Sequence, residues 1–174
     1  MIRKMEVPMF EQIFGTTPAV LQQLKDDHRR VDGLFEAYDK GRGQAKKKAA
    51  QQVIKELKIH AGIEERIVYP AFRTALKDSH LVNEAFEEHH LVHILLKELG
   101  RLTLGPTFDA KFQVLKELIR HHVKEEEGEV FPAAEKEEGI NWEALDRKAR
   151  LVRTRRLSSS NRRRRSRSRL ASAA

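Results

Sequence analysis

The chain of 174 residues contains no cysteine. Disulfide frameworks, thiolate zinc sites and cysteine-ligated iron–sulfur clusters are therefore excluded, and imidazole, carboxylate and water remain as metal ligands. Aromatic residues make up 6% of the sequence and charged residues 34%, a balance typical of one helical domain. No apolar run approaches the length of a membrane span, so we expect a cytoplasmic protein.

Acidic residues are missing from the end of the chain. Residues 147–174 hold 12 of the 34 lysines and arginines and no Asp or Glu, whereas residues 1–146 hold 22 basic and 26 acidic groups. Six arginines lie between 162 and 169 with no aromatic side chain for base stacking, so any nucleic-acid contact there would be weak, electrostatic and salt-sensitive. The other interpretation is a solvated and dispensable tail.

Apolar residues recur at helical spacing and predict an all-α fold, an up-down four-helix bundle built from two repeated hairpins. The helices are expected to begin near Thr17, Gln44, Ser79 and Thr107, and Pro70 should kink or end the second. Trp142, Leu145 and Leu151 should rest on the bundle as part of a short added helix. The predicted organisation is an N-terminal extension at 1–16, the bundle at 17–140, a short helix at 141–157 and a disordered Arg/Ser-rich tail at 158–174.

Two copies of one pattern organise this bundle. His60 and Glu64 lead to Tyr69-Pro70, and His122 and Glu126 lead to Phe131-Pro132 at the same offsets. Upstream, Asp26-Asp27-His28 and Glu87-Glu88-His89 also correspond, with 32 residues from His28 to His60 and 33 from His89 to His122. A His and a Glu four residues apart project from the same helix face, which suits a shared metal.

Seven polar side chains fall on the apolar stripes of these helices. They are His28, His60, Glu64, His89, His93, His122 and Glu126. A single buried histidine is more often a satisfied core residue than a ligand, but seven such groups on four helices need a cation to compensate them.

Imidazole with carboxylate and no sulfur suits iron, manganese or zinc, and two bridging carboxylates favour a pair of irons. With about twelve coordination positions for two irons, five imidazoles, two bridging carboxylates and an oxygen bridge leave one position open. The expected cofactor is therefore two oxo- or hydroxo-bridged non-haem Fe ions. An apolar pocket walled by Leu24, Val31, Phe35, Leu57 and Ile119 is expected beside the open position.

These motifs resemble the hemerythrin-like HHE cation-binding family over about residues 17–138. The resemblance implies one iron on His89, His93 and His122, a second on His28 and His60, and bridges through Glu64 and Glu126. In hemerythrins proper the last carboxylate follows its His by five residues, a spacing that His121 with Glu126 and His122 with Glu127 both have. His90, next to His89, raises the same question, and the internal repeat favours His122, Glu126 and His89. Ferritin-like di-iron bundles need two Glu-x-x-His pairs, and this sequence supplies one.

The sequence therefore favours a di-iron protein that binds or senses oxygen, peroxide or nitric oxide, or handles iron. The alternative is a helical scaffold whose basic tail contacts nucleic acid or an acidic partner. A true enzyme is the less favoured third case. No Ser-His-Asp order, glycine-rich phosphate loop or His-Glu-x-x-His motif supports a hydrolase or a nucleotide-binding protein.

Overall fold

The computed structural model describes residues 17–77 and 79–155, and every regular element in that part of the chain is helical. In chain order the elements are α1 (Ala19–Lys40), α2 (Gly43–Ile63), a π-helical turn (Glu64–Val68), α3 (Tyr69–Ala75), α4 (His80–Leu99), α5 (Pro106–Glu125), a second π-helical turn (Glu126–Val130), α6 (Phe131–Glu135) and α7 (142–155). The predicted N-terminal extension (1–16) and Arg/Ser-rich tail (158–174) lie outside the described residues.

Two glycines allow the tight link between α1 and α2. A Cβ atom on Gly41 would lie 2.7 Å from the Ala37 carbonyl oxygen, and Gly43 has a φ of +52°, a conformation that favours glycine. The chain therefore reverses within two residues, and α1 and α2 pack along their length as a hairpin. The helix α4 follows Ser79 as predicted, and α5 starts at Pro106, where the missing proline N–H needs no partner.

Two apolar clusters form the core, and the long helices run through both, with α5 reaching the second through the π-helical turn that continues it. One cluster holds Phe35 from α1, Val53 from α2, Leu96 from α4 and Phe112 from α5 among its buried members. The other gathers the opposite ends of these helices together with α3, α6 and α7. On each long helix the predicted metal-binding histidine lies between the segments that enter the two clusters, so a polar layer separates them.

The two π-helical turns differ from the kink expected at Pro70. Proline has no N–H to donate, and its ring crowds the carbonyl of the preceding turn. Here the Tyr69 N–H bonds to the Glu64 carbonyl oxygen, five residues back, and Phe131 bonds to Glu126 in the same way. The wider turn accommodates each proline, so the helix continues, and both predicted bridging carboxylates open such a turn.

The helix α7 packs on the rest of the molecule through one face. Leu145 and Ala149 are buried in the core, and the Trp142 ring meets Phe72 edge-on with centroids 6.0 Å apart. Leu151 was expected on this face but is 57% exposed, and Val152 packs there instead, because helical periodicity places 145, 149 and 152 on one side. Within the described residues, no helix has the length and apolar character needed to cross a membrane.

Candidate metal centre

Six of the seven predicted ligands form two buried groups that meet in the polar layer. The first group comprises His28, His60, Glu64 and Glu126, and the second comprises Glu64, His89 and His122. Within each group the nitrogen and oxygen atoms that could bind a metal lie within 4.8 Å of one another. These groups draw side chains from α1, α2, α4 and α5 and from both π-helical turns.

The two carboxylates lie between the groups. Glu64 Oε1 is 2.9 Å from His60 Nε2, and its Oε2 is 3.5 Å from His89 Nε2. Glu126 Oε2 is 3.4 Å from His28 Nε2 and 3.5 Å from His122 Nε2. Each carboxylate therefore faces one histidine of the first hairpin and one of the second, which is the placement a bridging ligand requires.

A carboxylate faces the Nδ1 atom of every histidine in the two groups. His28 donates to Glu127 and His122 donates to Glu88, each with an N···O distance of 2.7 Å. His89 donates to Glu65 with an N···O distance of 3.0 Å. The fourth, His60, lies 3.6 Å from an oxygen of Asp27, too far for a hydrogen bond. Because a carboxylate only accepts, the three bonded Nδ1 atoms carry the proton and their Nε2 atoms point inward.

The Nε2 atoms meet in pairs at the centre. His28 and His60 approach to 3.0 Å and His89 and His122 to 3.2 Å, each through Nε2. Two lone pairs at this distance repel unless a cation or a proton lies between them. Among the described residues, Glu64 Oε1 and Oε2 and Glu126 Oε2 have no hydrogen-bond partner although all three are buried. This donor set therefore fits a cation.

Nearby carboxylates favour the protonated forms of His60 and His122. Burial lowers the pKa of His60, but the attraction of Glu64, Asp27 and Glu126 outweighs it and raises the pKa to about 10. Burial also lowers the pKa of His122, but the attraction of Glu126 and Glu88 outweighs it and sets this pKa well above its usual range. These shifts favour protonated His60 and His122 in the absence of a metal, and a bound cation must displace the protons.

The hydroxyl of Tyr69 lies inside the second group, which the sequence did not predict. It donates to Glu126 Oε1 over 2.8 Å and lies 3.3 Å from the Nε2 atoms of both His89 and His122. Burial, followed by the charges of Glu126 and Glu64, raises the pKa of this hydroxyl well above its usual range, so it stays protonated. Its counterpart in the repeat is Phe131, whose ring stacks on His28 with centroids 6.3 Å apart.

His93, the remaining predicted ligand, is outside both groups. Its side chain is 45% exposed, and its Nε2 lies 2.6 Å from Glu65 Oε1. The buried stripe of α4 runs through Ala85, His89, Val92 and Leu96, which leaves position 93 at its edge.

The neighbouring histidines that the sequence left as alternatives face outward. His90 is exposed and His121 is 59% exposed, whereas His89 and His122 are buried. Glu127, the alternative to Glu126, is partly exposed and holds the Nδ1 atom of His28.

An apolar cavity adjoins the four imidazoles. It is enclosed, has a volume of about 10 Å³ and is lined by the histidines together with Val31, Leu57 and Ile119. Of the other expected wall residues, Leu24 belongs to the core cluster on the far side, and Phe35 lines a neighbouring cleft. About 10 Å³ is the space that a single water-sized molecule requires.

That cleft opens between α1 and α5 and reaches His28 from solvent. Its volume is about 410 Å³, and Ile119, Val123 and Glu127 form part of its wall. At its mouth the Arg120 guanidinium donates to Asp32 Oδ1 from Nε and Nη2, over 2.8 and 2.7 Å. Asp32 stands in the first hairpin where His93 stands in the second, and Arg120 holds it at the rim.

The repeat carried a signal for the carboxylates that orient the histidines, and Asp27 and Glu88 are the two whose role was not predicted from the sequence. Asp27 and Glu88 directly precede His28 and His89, and each faces the second histidine of its own hairpin. Glu65 and Glu127 directly follow the predicted bridging residues, and each holds the first histidine of the other hairpin. Repeated acid–histidine neighbours therefore indicated these partners.

Comparison with known proteins defines the class. The model of the hemerythrin HHE cation binding domain matches residues 19–134, and the chain belongs to this family. The matched residues contain both buried groups, and these His and Glu clusters fit the cation binding for which the family is named.

Two similar proteins extend the comparison. A crystal structure of a hemerythrin HHE cation binding domain-containing protein from Mycobacterium kansasii superposes with a TM-score of 0.62, at 24% identity over 75% of this chain and 85% of that one. This likeness shows a shared fold. A protein from Nostoc sp. described as a DNA nickase is 26% identical over 112 residues, which are 63% of this chain. The chain spans about a third of that relative, 32% of its length.

Proposed function

We propose that the polar layer holds two iron ions, one at His28 and His60 and the other at His89 and His122. Glu64 and Glu126 would bridge them. The observation that carries this proposal is the pairwise approach of four Nε2 atoms beside carboxylate oxygens that lack a partner. Imidazole and carboxylate without sulfur are ligands that iron accepts readily.

The Tyr69 hydroxyl is proposed to be the polar group beside the His89 and His122 pair, where it stays protonated and donates to Glu126. It already lies 3.3 Å from both Nε2 atoms, whereas His93 would have to leave Glu65 to approach them. Coordination by His93 stays a prediction from the sequence. The scaffold is proposed to be an up-down four-helix bundle of two repeated hairpins over residues 17–140, extended by the helix at 141–157.

The proposed function is to bind or sense a small molecule such as oxygen, peroxide or nitric oxide, or to handle iron. Two irons would supply an open coordination position and electrons for a bound small ligand. The cleft beside Arg120 gives such a molecule a way in, and Val31, Leu57 and Ile119 keep the inner cavity apolar and small. Tyr69 and the carboxylates bonded to the Nδ1 atoms hold the histidines in one orientation. We favour binding of a small molecule over its catalytic turnover.

Metal analysis of the purified full chain tests this proposal. We expect two irons per chain and near-ultraviolet absorption typical of an oxo-bridged ferric pair. His122→Ala should lower the iron content, because the change removes an inward-facing nitrogen. His121→Ala is the matched control, since this exposed neighbour lies on the same helix, and it should keep the wild-type content. One zinc and no iron after growth in iron-replete cells, or equal iron in both variants, would reject the di-iron centre.

A second candidate function is contact with nucleic acid through the basic end of the chain. Two observations favour it: residues 147–174 carry 12 basic groups and no acidic one, and the similar Nostoc protein is described as a DNA nickase. The match covers about a third of that relative, so we propose the electrostatic contact and not strand cleavage.

A further inference from the structure

A buried ion pair connects α7 to the histidine layer. Asp27 on α1 is 3% exposed, and its Oδ2 accepts from Arg153 Nη2 on α7 while its Oδ1 lies 3.2 Å from Arg153 Nη1. The side chain of Arg153 is 17% exposed. The same Oδ2 atom lies 3.6 Å from the Nδ1 atom of His60. Asp27 therefore stands between a histidine of the proposed iron site and a guanidinium from the far end of the chain.

The second hairpin shows the same arrangement without an arginine. Glu88, the counterpart of Asp27, accepts from His122 Nδ1 over 2.7 Å. In the first hairpin Arg30 donates to Asp27 Oδ1 over a distance of 3.0 Å, and Arg153 Nη2 donates to Oδ2, the oxygen that faces His60. His60 Nδ1 is left without a hydrogen-bond partner among the described residues. The two halves of the layer thus differ in how firmly a carboxylate holds the inward-pointing imidazole.

This difference comes from outside the family's matched segment. The family model ends at residue 134, and α7 follows it at 142–155. The helix is held by buried Leu145 and Ala149, so Arg153 reaches Asp27 from a docked element and not from a loose end. A carboxylate bonded to the Nδ1 of a metal-binding histidine raises the basicity of that ligand, and losing such a partner commonly changes metal affinity by about 10–100-fold.

We propose that Arg153 is a positioning residue that tunes the His28 and His60 half of the metal centre by holding Asp27 away from His60. Its positive charge and its competition for Asp27 act in the same direction: both weaken cation binding at His60 and favour the reduced metal. Neutralising Arg153 should let Asp27 bond to His60 and strengthen that half of the site. The inference rests on the proposed di-iron function.

The test compares Arg153→Gln with the wild-type full chain. Glutamine can still donate to Asp27 Oδ1 and preserve the docking of α7, but it carries no charge and leaves Oδ2 free to accept from His60. We expect Fe²⁺ to be retained about tenfold more tightly against a competing chelator, with a lower midpoint potential. Arg153→Lys should return both values toward wild type. Arg150→Gln, on the same helix but exposed and paired with Asp146, should leave both unchanged.

A merely structural role predicts the opposite result, since loss of the ion pair would loosen α7 and weaken iron retention. Weaker or unchanged iron retention in Arg153→Gln, with the potential of the wild type, would overturn the proposal. Asp27→Asn supplies a second measurement. We expect it to weaken iron retention, because an amide carries no negative charge that could strengthen His60 as a ligand. If the wild-type chain held no iron, the proposed function itself would fail, which is a separate outcome from equal affinities in wild type and variant.

Discussion

One hydroxyl makes the two halves of the polar layer chemically different. The repeat places Tyr69 and Phe131 at equivalent positions, directly before a proline, but only Tyr69 brings a polar atom to the centre. It donates to Glu126. Burial raises the pKa of this carboxylate, but the charges of His122 and His28 outweigh burial and hold the pKa well below its usual range. The hydroxyl therefore serves an ionised carboxylate that few other donors can reach.

Tyr69→Phe should destabilise the metal-free protein by about 1–3 kcal/mol, because Glu126 Oε1 would lose its donor in a buried place. Denaturant unfolding of the metal-free proteins measures this. Tyr38→Phe is the matched control, since Tyr38 donates to Asp109, which is 46% exposed and can take water instead. Its cost should stay below about 1 kcal/mol. Equal losses in the two variants would show that the Tyr69 hydroxyl has no special partner.

The histidines themselves were predictable because each breaks an apolar stripe at a position that the repeat duplicates. His28, His60, His89 and His122 needed only periodicity and the internal alignment. His93 has a spacing from His89 that suits the same face, but the buried stripe continues through Val92 and Leu96 and leaves His93 partly exposed, so its role as a ligand stays a prediction. The role of Tyr69 was hidden, since an aromatic residue beside proline reads as core.

At the scale of elements, the long helices follow from periodicity and the turns between them from glycine and proline. The π-helical turns could not be predicted in this way, because a wider turn needs no change of residue type and only shifts the backbone hydrogen bonds. The signal was the pairing of each predicted bridging Glu with a proline six residues later, Glu64 with Pro70 and Glu126 with Pro132. Such single wide turns are frequent at functional sites, and here each begins at a carboxylate of the centre.

Pro70→Ala tests whether this turn positions the site. An alanine N–H can donate to the Arg66 carbonyl, so the turn can tighten to an ordinary helix and rotate Tyr69 by roughly 100° relative to Glu64. We expect the metal-free protein to melt lower than wild type, because a rotated Tyr69 can no longer donate to Glu126 Oε1, and iron affinity to fall at least about tenfold. Pro106→Ala is the control, because Pro106 occupies the first residue of α5, and its iron affinity should not change. Wild-type affinity in Pro70→Ala would mean that the proline does not set the turn.

At the scale of the whole molecule, the chain combines an acidic body with a basic end. Residues 1–146 carry 22 basic and 26 acidic groups, a net charge of −4 that should repel polyanions, and the polar layer lies within this segment. The order of the helices and the pairing of the hairpins were predictable, whereas the contact of Arg153 with Asp27 was not. It joins residues 126 apart in sequence, and nothing in the repeat anticipates it.

Deleting residues 158–174 should therefore separate two properties. Iron content and the melting temperature should stay at wild-type values, since the polar layer is built from residues 27–127, while affinity for duplex DNA at low salt should be lost. If the six arginines each contact a phosphate, raising the salt concentration from 50 to 200 mM should lower the affinity about a thousandfold, because fewer counterions are released favourably on binding. A full-length variant with the six arginines between 162 and 169 replaced by glutamine controls for chain length and should match the deletion. If the truncated chain bound DNA as tightly as the full one, the binding surface would lie on the helices, and if the full chain bound none at low salt, the basic end would have no part in nucleic-acid contact.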